Sequence, residues 1–289
     1  MVGRMNILSI QSWVSYGHVG NAASMFPLQR LGAEVWAVNT VQFSNHPGHG
    51  EWTGRVGTGA EVTALIDGIE RRGAFAHCDA VLSGYMGDVS VAASVLDAVG
   101  RVRRANPAML YCCDPVIGDG GRVYVRDGIP QLIAAQALPQ ADVLTPNQFE
   151  LERLSGIECV DAASVRQAIE AVRGRMRAGG PRAVLLTSVV TAETPAGTLD
   201  VVSADDRGMA TVRIPTLTVA ASGAGDMMAA LFLFHLLRLG NAGAAMAAAT
   251  AAAHAVLTLT AERGARDLML IEAQDSIVAP GNLFPLSEF

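Results

Sequence analysis

Short runs of consecutive apolar residues alternate along the chain with longer stretches in which apolar residues recur at helical spacing. The short runs predict strands at Asn6–Gln11, Glu34–Thr40, Ala80–Gly84, Met109–Asp114, Asp142–Thr145, Ala183–Ser188, Thr198–Ser203 and Ala210–Ile214. The longer patterns predict helices at Asn21–Leu31, Ala60–Arg72, Val89–Ala105, Pro130–Ala137, Gln148–Ser155, Ala162–Ala178, Gly225–Leu239, Ala242–Ala261 and Asp267–Val278. Continuous apolar strands are those buried on both faces, and their alternation with helices means βαβ units. The pattern therefore predicts an α/β protein, with helices on both sides of a mainly parallel central sheet. The last two strands have no helix between them and read as a hairpin at one edge.

No Pro/Gly/Ser linker divides the chain and no repeat is visible, so residues 1–289 read as one domain. The Gly- or Pro-rich breaks at Asn45–Gly59, Gly118–Gly121 and Ala192–Gly197 read as surface loops. Open parallel sheets bind ligands at the carboxyl ends of their strands, so chemistry is sought just after each strand.

Composition narrows the choice. All 21 basic residues are arginine, and lysine is absent. That excludes a Walker P-loop, a protein kinase, and any enzyme that forms a Schiff base through lysine. The net charge of −6 and an aromatic content of 5% give no footprint for nucleic acid. The most apolar stretch, Ala242–Leu259, is mostly alanine and is broken by His254 and threonines, so it reads as a buried helix rather than a membrane span. The N-terminus, Met1 to Met5, lacks the sequence of regions that marks an export signal. Cys78, Cys112, Cys113 and Cys159 have no zinc-like spacing, and adjacent Cys112 and Cys113 cannot share one strand face. Reduced thiols in a cytoplasmic protein are the expectation.

Four segments after strands could carry chemistry. Ala221-Ser222-Gly223-Ala224-Gly225-Asp226 places small residues before an apolar helix. Their N–H groups would converge on an anion, and Asp226 would stand beside it as a base for an attacking hydroxyl. An ordinary helix start would look the same on this stretch alone. Cys113-Asp114-Pro115-Val116-Ile117-Gly118-Asp119-Gly120-Gly121 ends a strand in an acid suited to a metal or its water. Its glycines could form a cover over phosphates, with Arg122 at the edge. Thr145-Pro146-Asn147-Gln148-Phe149-Glu150 has the spacing of a capping box, which alone would account for Asn147 and Glu150. The segment after the first strand, Gln11 to Asn21, lacks the dinucleotide fingerprint but offers Ser12. With His46 after the second strand and Tyr85 after the third, it supplies a hydroxyl, an imidazole and a ring suited to a flat heteroaromatic ligand. Together these segments indicate a phosphotransferase-like enzyme without a P-loop.

The chain resembles the ribokinase-like superfamily and, within it, the pyridoxal (pyridoxamine) kinases. The resemblance rests on Gln11-Ser12-x-Val14-x-Tyr16-Gly17-His18-x-Gly20-Asn21, Asn39-Thr40-Val41-Gln42-Phe43-Ser44-Asn45-His46, Asp79-Ala80-Val81-Leu82-Ser83-Gly84-Tyr85 and Cys113-Asp114-Pro115-Val116-x-Gly118. The first two are specific to the vitamin B6 branch. The glycine–aspartate motif and the Asn147–Glu150 motif are general to the superfamily. The resemblance implies a three-layer α/β/α ribokinase-like fold and ATP-dependent phosphorylation of the 5′-hydroxymethyl group of pyridoxal. Pyridoxamine and pyridoxine are further candidate substrates.

It implies Asp226 as the base, with Gly223, Ala224 and Gly225 forming the anion hole. Ser12, Phe43, His46, Pro47, Gly48 and Tyr85 would hold the vitamin. Asp114, Thr145, Glu150 and Thr187 would lie on the ATP side, Asp114 and Glu150 also positioning Mg²⁺. Gly118–Val125 would be a flap over the active site, and the enzyme a homodimer. Two departures stand out: Ala224 in the middle of the glycine motif, and Thr187 where these kinases can carry a lysine that contacts ATP. A hydroxymethylpyrimidine kinase of the same fold and a non-catalytic pyridoxal-binding protein remain as alternatives.

Overall fold

The computed structural model describes residues 5–219 and 221–289. The stretch Met1–Arg4, read above for an export signal, lies outside them.

Six parallel strands form the centre of one sheet: β1 (Asn6–Val14), β2 (Glu34–Phe43), β4 (Ala80–Ser83), β5 (Leu110–Cys113), β8 (Val143–Leu144) and β9 (Ala183–Val189). They lie in the order β2-β1-β4-β5-β8-β9. An antiparallel run continues past β9 through β10 (Thr198–Asp205), β11 (Gly208–Pro215) and β12 (Leu286–Glu288). The hairpin expected at the edge is β10–β11, but β12 pairs outside it. At the opposite edge β3 (Gly54–Val56) returns antiparallel to β2. Thus the break at Asn45–Gly59 is not wholly loop.

Alternation along each strand sorts side chains into two cores. On one face Leu8, Val81, Cys113 and Val184 pack with α2 (Gly59–Arg71), α3 (Val89–Ala105), α5 (Gln148–Ser155) and α6 (Ala162–Arg173). On the other Ile7, Ala80, Cys112 and Ala183 pack with α1 (Asn21–Arg30), α7 (Ala224–Leu239) and α8 (Ala242–Glu262). Cys112 and Cys113 divide between the faces as the period of two requires, and all four cysteines are free thiols. Helix α8 is long and apolar enough to cross a membrane by length and composition. Here Ala245, Met246, Ala249, Ala252 and Val256 pack it into the second core, and alanine keeps it close to its neighbours.

Several elements differ from the pattern-based expectation, each for a local reason. Strand β1 runs on to Val14 and β2 to Phe43, with a shift in their pairing between Gln11 and Trp13. A bulge of this kind lets a strand continue past the end of its apolar run. The segment expected as a helix over Pro130–Ala137 divides into one helical turn, α4 (Ile129–Leu132), a wider π-type turn over Ile133–Ala137 and a tighter 3₁₀ turn over Leu138–Gln140. Pro139 removes an N–H from that stretch. Helix α6 stops at Arg173, and only Gln274–Val278 of the expected Asp267–Val278 helix is helical, as α9.

Candidate active site

The carboxyl ends of the central strands face the start of α7. Gly223 precedes that helix with φ +92°, and no side chain caps its first N–H groups. The N–H groups of Ala224, Gly225 and Asp226 therefore have no acceptor within the helix and point out of its positive end. A Cβ on residue 223 would stand 2.0 Å from the His18 carbonyl oxygen, so glycine is required there for the loop after β1 to approach.

Asp226 lies in the first turn of α7. Its Oδ2 accepts the Gly20 N–H at 2.8 Å, and Ser24 donates to its carbonyl at 3.0 Å. Although the side chain keeps some access to solvent, the surrounding protein removes much of its hydration. Burial pushes the carboxyl up to about 6, against the Gly20 hydrogen bond that favours the anion. Gly20 is itself held in a left-handed conformation, φ +57°, over Ser12, whose carbonyl oxygen would lie 2.2 Å from any added Cβ. One glycine thus connects the base to Ser12.

The residues expected to hold the vitamin assemble around this link. Ser12 sits at the bulge of β1 and is nearly buried. Phe43 packs with Val14, Val19 and Val41 in a small cluster that Tyr85 completes, and its ring stacks obliquely on Trp52 at 4.2 Å between centroids. Thr40 fixes the Tyr85 carbonyl through a 2.6 Å hydrogen bond. His46 caps a single turn, Pro47–His49, by accepting the Gly48 N–H on Nδ1, 3.2 Å away. A nitrogen that accepts an N–H is unprotonated, so the ring is neutral with its proton on Nε2. Ser222 Oγ, 3.1 Å from the same Nδ1, then serves as a second donor. Burial, and after it His49, lowers the His46 pKa, in keeping with a neutral ring. Pro47 and Gly48 are exposed at the rim.

The opposite side is acidic and dry. Asp114 follows β5 and is buried, its Oδ1 accepting the Thr145 hydroxyl at 3.0 Å. Burial raises its pKa well above the usual carboxylate range, with Glu150 and Asp226 adding to the shift. Glu150 closes a complete capping box with Asn147. Its Oε2 accepts the Asn147 N–H at 3.0 Å and its Oε1 the Ile117 N–H at 2.9 Å. The Asn147 side chain also donates to the Gly118 carbonyl at 2.8 Å. Burial nonetheless raises the Glu150 pKa. Thr187 ends near this group: its N–H donates to the Pro146 carbonyl at 3.0 Å.

The segment expected as a flap is a two-stranded hairpin, β6 (Gly118–Asp119) and β7 (Arg122–Val123), closed by Gly120 and Gly121 at φ +54° and +82°. Two successive left-handed residues make the turn that matches strand twist. Its root rests on Glu150 and Asn147, and Tyr124 beside it is raised in pKa by burial and then by Glu150 and Asp114. The hairpin therefore starts at Gly118, held by Asn147 beside the Glu150 carboxylate.

Among the described residues no group of three or more His, Cys, Asp or Glu side chains could enclose a metal. Asp114 and Glu150 nonetheless fit Mg²⁺, which is commonly held by one or two carboxylates together with waters and substrate phosphates. Two buried acids, both raised in pKa by burial and Asp114 further by Glu150, are the donor set that a hard cation relieves.

The structure brings Asp226, Asp114, Glu150 and the residues expected to line the ring to the carboxyl ends of the central strands, where sequence reasoning expected them. That reasoning missed Gly20, Thr40, Ser222 and the role of Asn147 at the flap root. All four lay within motifs singled out in the sequence, where neither the spacing nor the residue type marked the contacts they make.

Residues 69–268 match the phosphomethylpyrimidine kinase family. The chain is 52% identical to the pyridoxal kinase PdxY of Granulibacter bethesdensis, covering 97% of this chain and 98% of that one. It is also 52% identical to the pyridoxal kinase PdxY of Deinococcus radiodurans, covering 96% and 95%. Among solved structures, the pyridoxal kinase of Leishmania donovani in complex with ADP and pyridoxine superposes with a TM-score of 0.89 at 29% identity, over 98% of both chains. With relatives 52% identical that match over nearly their whole length, the chain belongs to the pyridoxal kinase family.

Proposed function

We propose that the protein phosphorylates the 5′-hydroxymethyl group of pyridoxal with ATP, and that it acts on pyridoxamine and pyridoxine by the same route. The observation that carries this is Asp226: a half-buried carboxylate in the first turn of a helix whose free N–H groups face the same space. Asp226 takes the hydroxyl proton as the oxygen attacks the γ-phosphorus. The bond to the β,γ-bridging oxygen breaks, and ADP leaves with that electron pair. The N–H groups at the start of α7 meet the charge on the transferring group. Asp114 and Glu150 would hold Mg²⁺, which neutralises phosphate charge when bound. Ser12, Phe43, His46 and Tyr85 hold the pyridine ring, with Pro47 and Gly48 at the rim. Thr145 and Thr187 border the nucleotide, and the β6–β7 hairpin closes over it.

A cytoplasmic homodimer completes the proposal, in keeping with four reduced thiols. A second reading, phosphorylation of a hydroxymethylpyrimidine, draws on the phosphomethylpyrimidine kinase family match. ADP release measured with pyridoxal, pyridoxamine, pyridoxine and hydroxymethylpyrimidine decides between them. Pyridoxal should give the highest kcat/KM. A pyrimidine preference would establish the second reading, and ADP release that no acceptor stimulates would sink both.

A further inference from the structure

The residues Arg266, Asp267 and Leu268 lie before the last helix, where the sequence pattern had suggested only its first turn. The first two bind different parts of the side assigned to the vitamin. Arg266 Nη2 donates to the Gly48 carbonyl at 2.9 Å. The Asp267 carboxylate sits directly over Gly17, filling the place where a Cβ would be, 2.1 Å from Oδ1. The same Oδ1 lies 3.5 Å from His49 Nε2. The backbone of Asp267 pairs with that of Ser222, whose hydroxyl reaches His46. Leu268, next in the chain, is buried in the second core and anchors the pair.

Arg266 and Asp267, anchored by Leu268, thus gather the loop after β1, the loop after β2 and the glycine loop before α7. None of the three touches Asp226, Asp114 or Glu150 in any hydrogen bond or ion pair among the described residues. We propose that Arg266–Leu268 is a clasp that holds the vitamin-binding loops against the anion-hole loop, with Asp267 as its central positioning residue. Asp267 takes no part in proton or phosphoryl transfer. It sets where His46 stands, and so the affinity for the pyridine-bearing substrate. The clasp rests on the assignment of that side of the site to the vitamin.

The test uses the full chain with Asp267→Ala, Asp267→Asn and Arg266→Ala. Asp267→Ala, which removes the carboxylate over Gly17 and its contact with His49, should raise both KM and Kd for pyridoxal about five- to tenfold, with kcat and the KM for ATP within about twofold. Asp267→Asn keeps an acceptor for His49 and should restore most of the affinity. Arg266→Ala, which removes an exposed side chain and cannot unseat the fold, should move pyridoxal affinity in the same direction by about two- to fivefold. Hydrogen exchange without ligand should quicken at residues 46–50 in Asp267→Ala and Arg266→Ala, and stay unchanged in the hairpin at 118–123. Unaltered exchange and affinity in Arg266→Ala, or a loss shared equally between kcat and the ATP side, would overturn the clasp. Failure of the unmodified protein to bind pyridoxal would instead overturn the assignment of the vitamin side, and faster exchange at 46–50 would still report the clasp.

Discussion

Asp226 is subject to two opposed forces. The Gly20 N–H stabilises its anion, while burial penalises it, and burial wins. A solvent-exposed aspartate titrates near 3.9 and is a weak base; at about 6 the same group is a stronger base and is still ionised at neutral pH. The sign of the pH dependence follows. The proton must be off for catalysis, so kcat/KM for pyridoxal should be level above pH 7. It should fall about tenfold per pH unit well below 6, after correction for ionisation of the substrate. A profile that stays level to pH 4.5 would show that another group takes the proton. At this scale Asp226 was legible because small residues, an acid and an apolar run follow one another in the chain. Gly20 was not, because its partner lies 206 positions away.

The α5 start joins local folding to function. Asn147 caps the helix, and its amide also holds the Gly118 carbonyl at the root of the β6–β7 hairpin. The capping box that would have explained Asn147 and Glu150 as ordinary structure is present, and the same two residues carry the flap. Asn147→Ala should therefore do two things. Loss of the cap costs about 1 kcal/mol and lowers Tm by roughly 2–4 °C. Loss of the flap anchor should raise the KM for ATP more than that for pyridoxal. Calorimetry and steady-state kinetics check both, and a Tm shift with unchanged ATP kinetics would confine Asn147 to the helix. Elements with a long apolar period were legible: α3, α7 and α8 lie within a residue of their expected bounds. The β6–β7 hairpin was not, because two-residue strands have no periodicity to read. The stretch from Asp267 was misread because its apolar residues, Leu268 and Leu270, are fixed by contacts with the second core rather than by a helical repeat.

The whole molecule places two chemistries at one sheet end without a single lysine. The three-layer arrangement was legible because continuous apolar strands demand cover on both faces. The antiparallel extension through β12 was not, since an exposed three-residue strand near the C-terminus is set by pairing alone. The composition has a chemical consequence. The proposed product carries an aldehyde, which condenses with lysine amines, and the chain offers none. Incubation with pyridoxal 5′-phosphate followed by borohydride should leave no adduct on any internal peptide by mass spectrometry. A labelled internal peptide would refute this.

The account turns on Asp226 as the base for transfer from ATP to pyridoxal. The most direct test is kcat for pyridoxal-dependent ADP release by Asp226→Asn, which preserves shape and removes the charge. With the fold confirmed by circular dichroism, kcat should fall about 10²–10⁴-fold while pyridoxal still binds. A folded variant that turns over within a few-fold of the unmodified protein would contradict the mechanism.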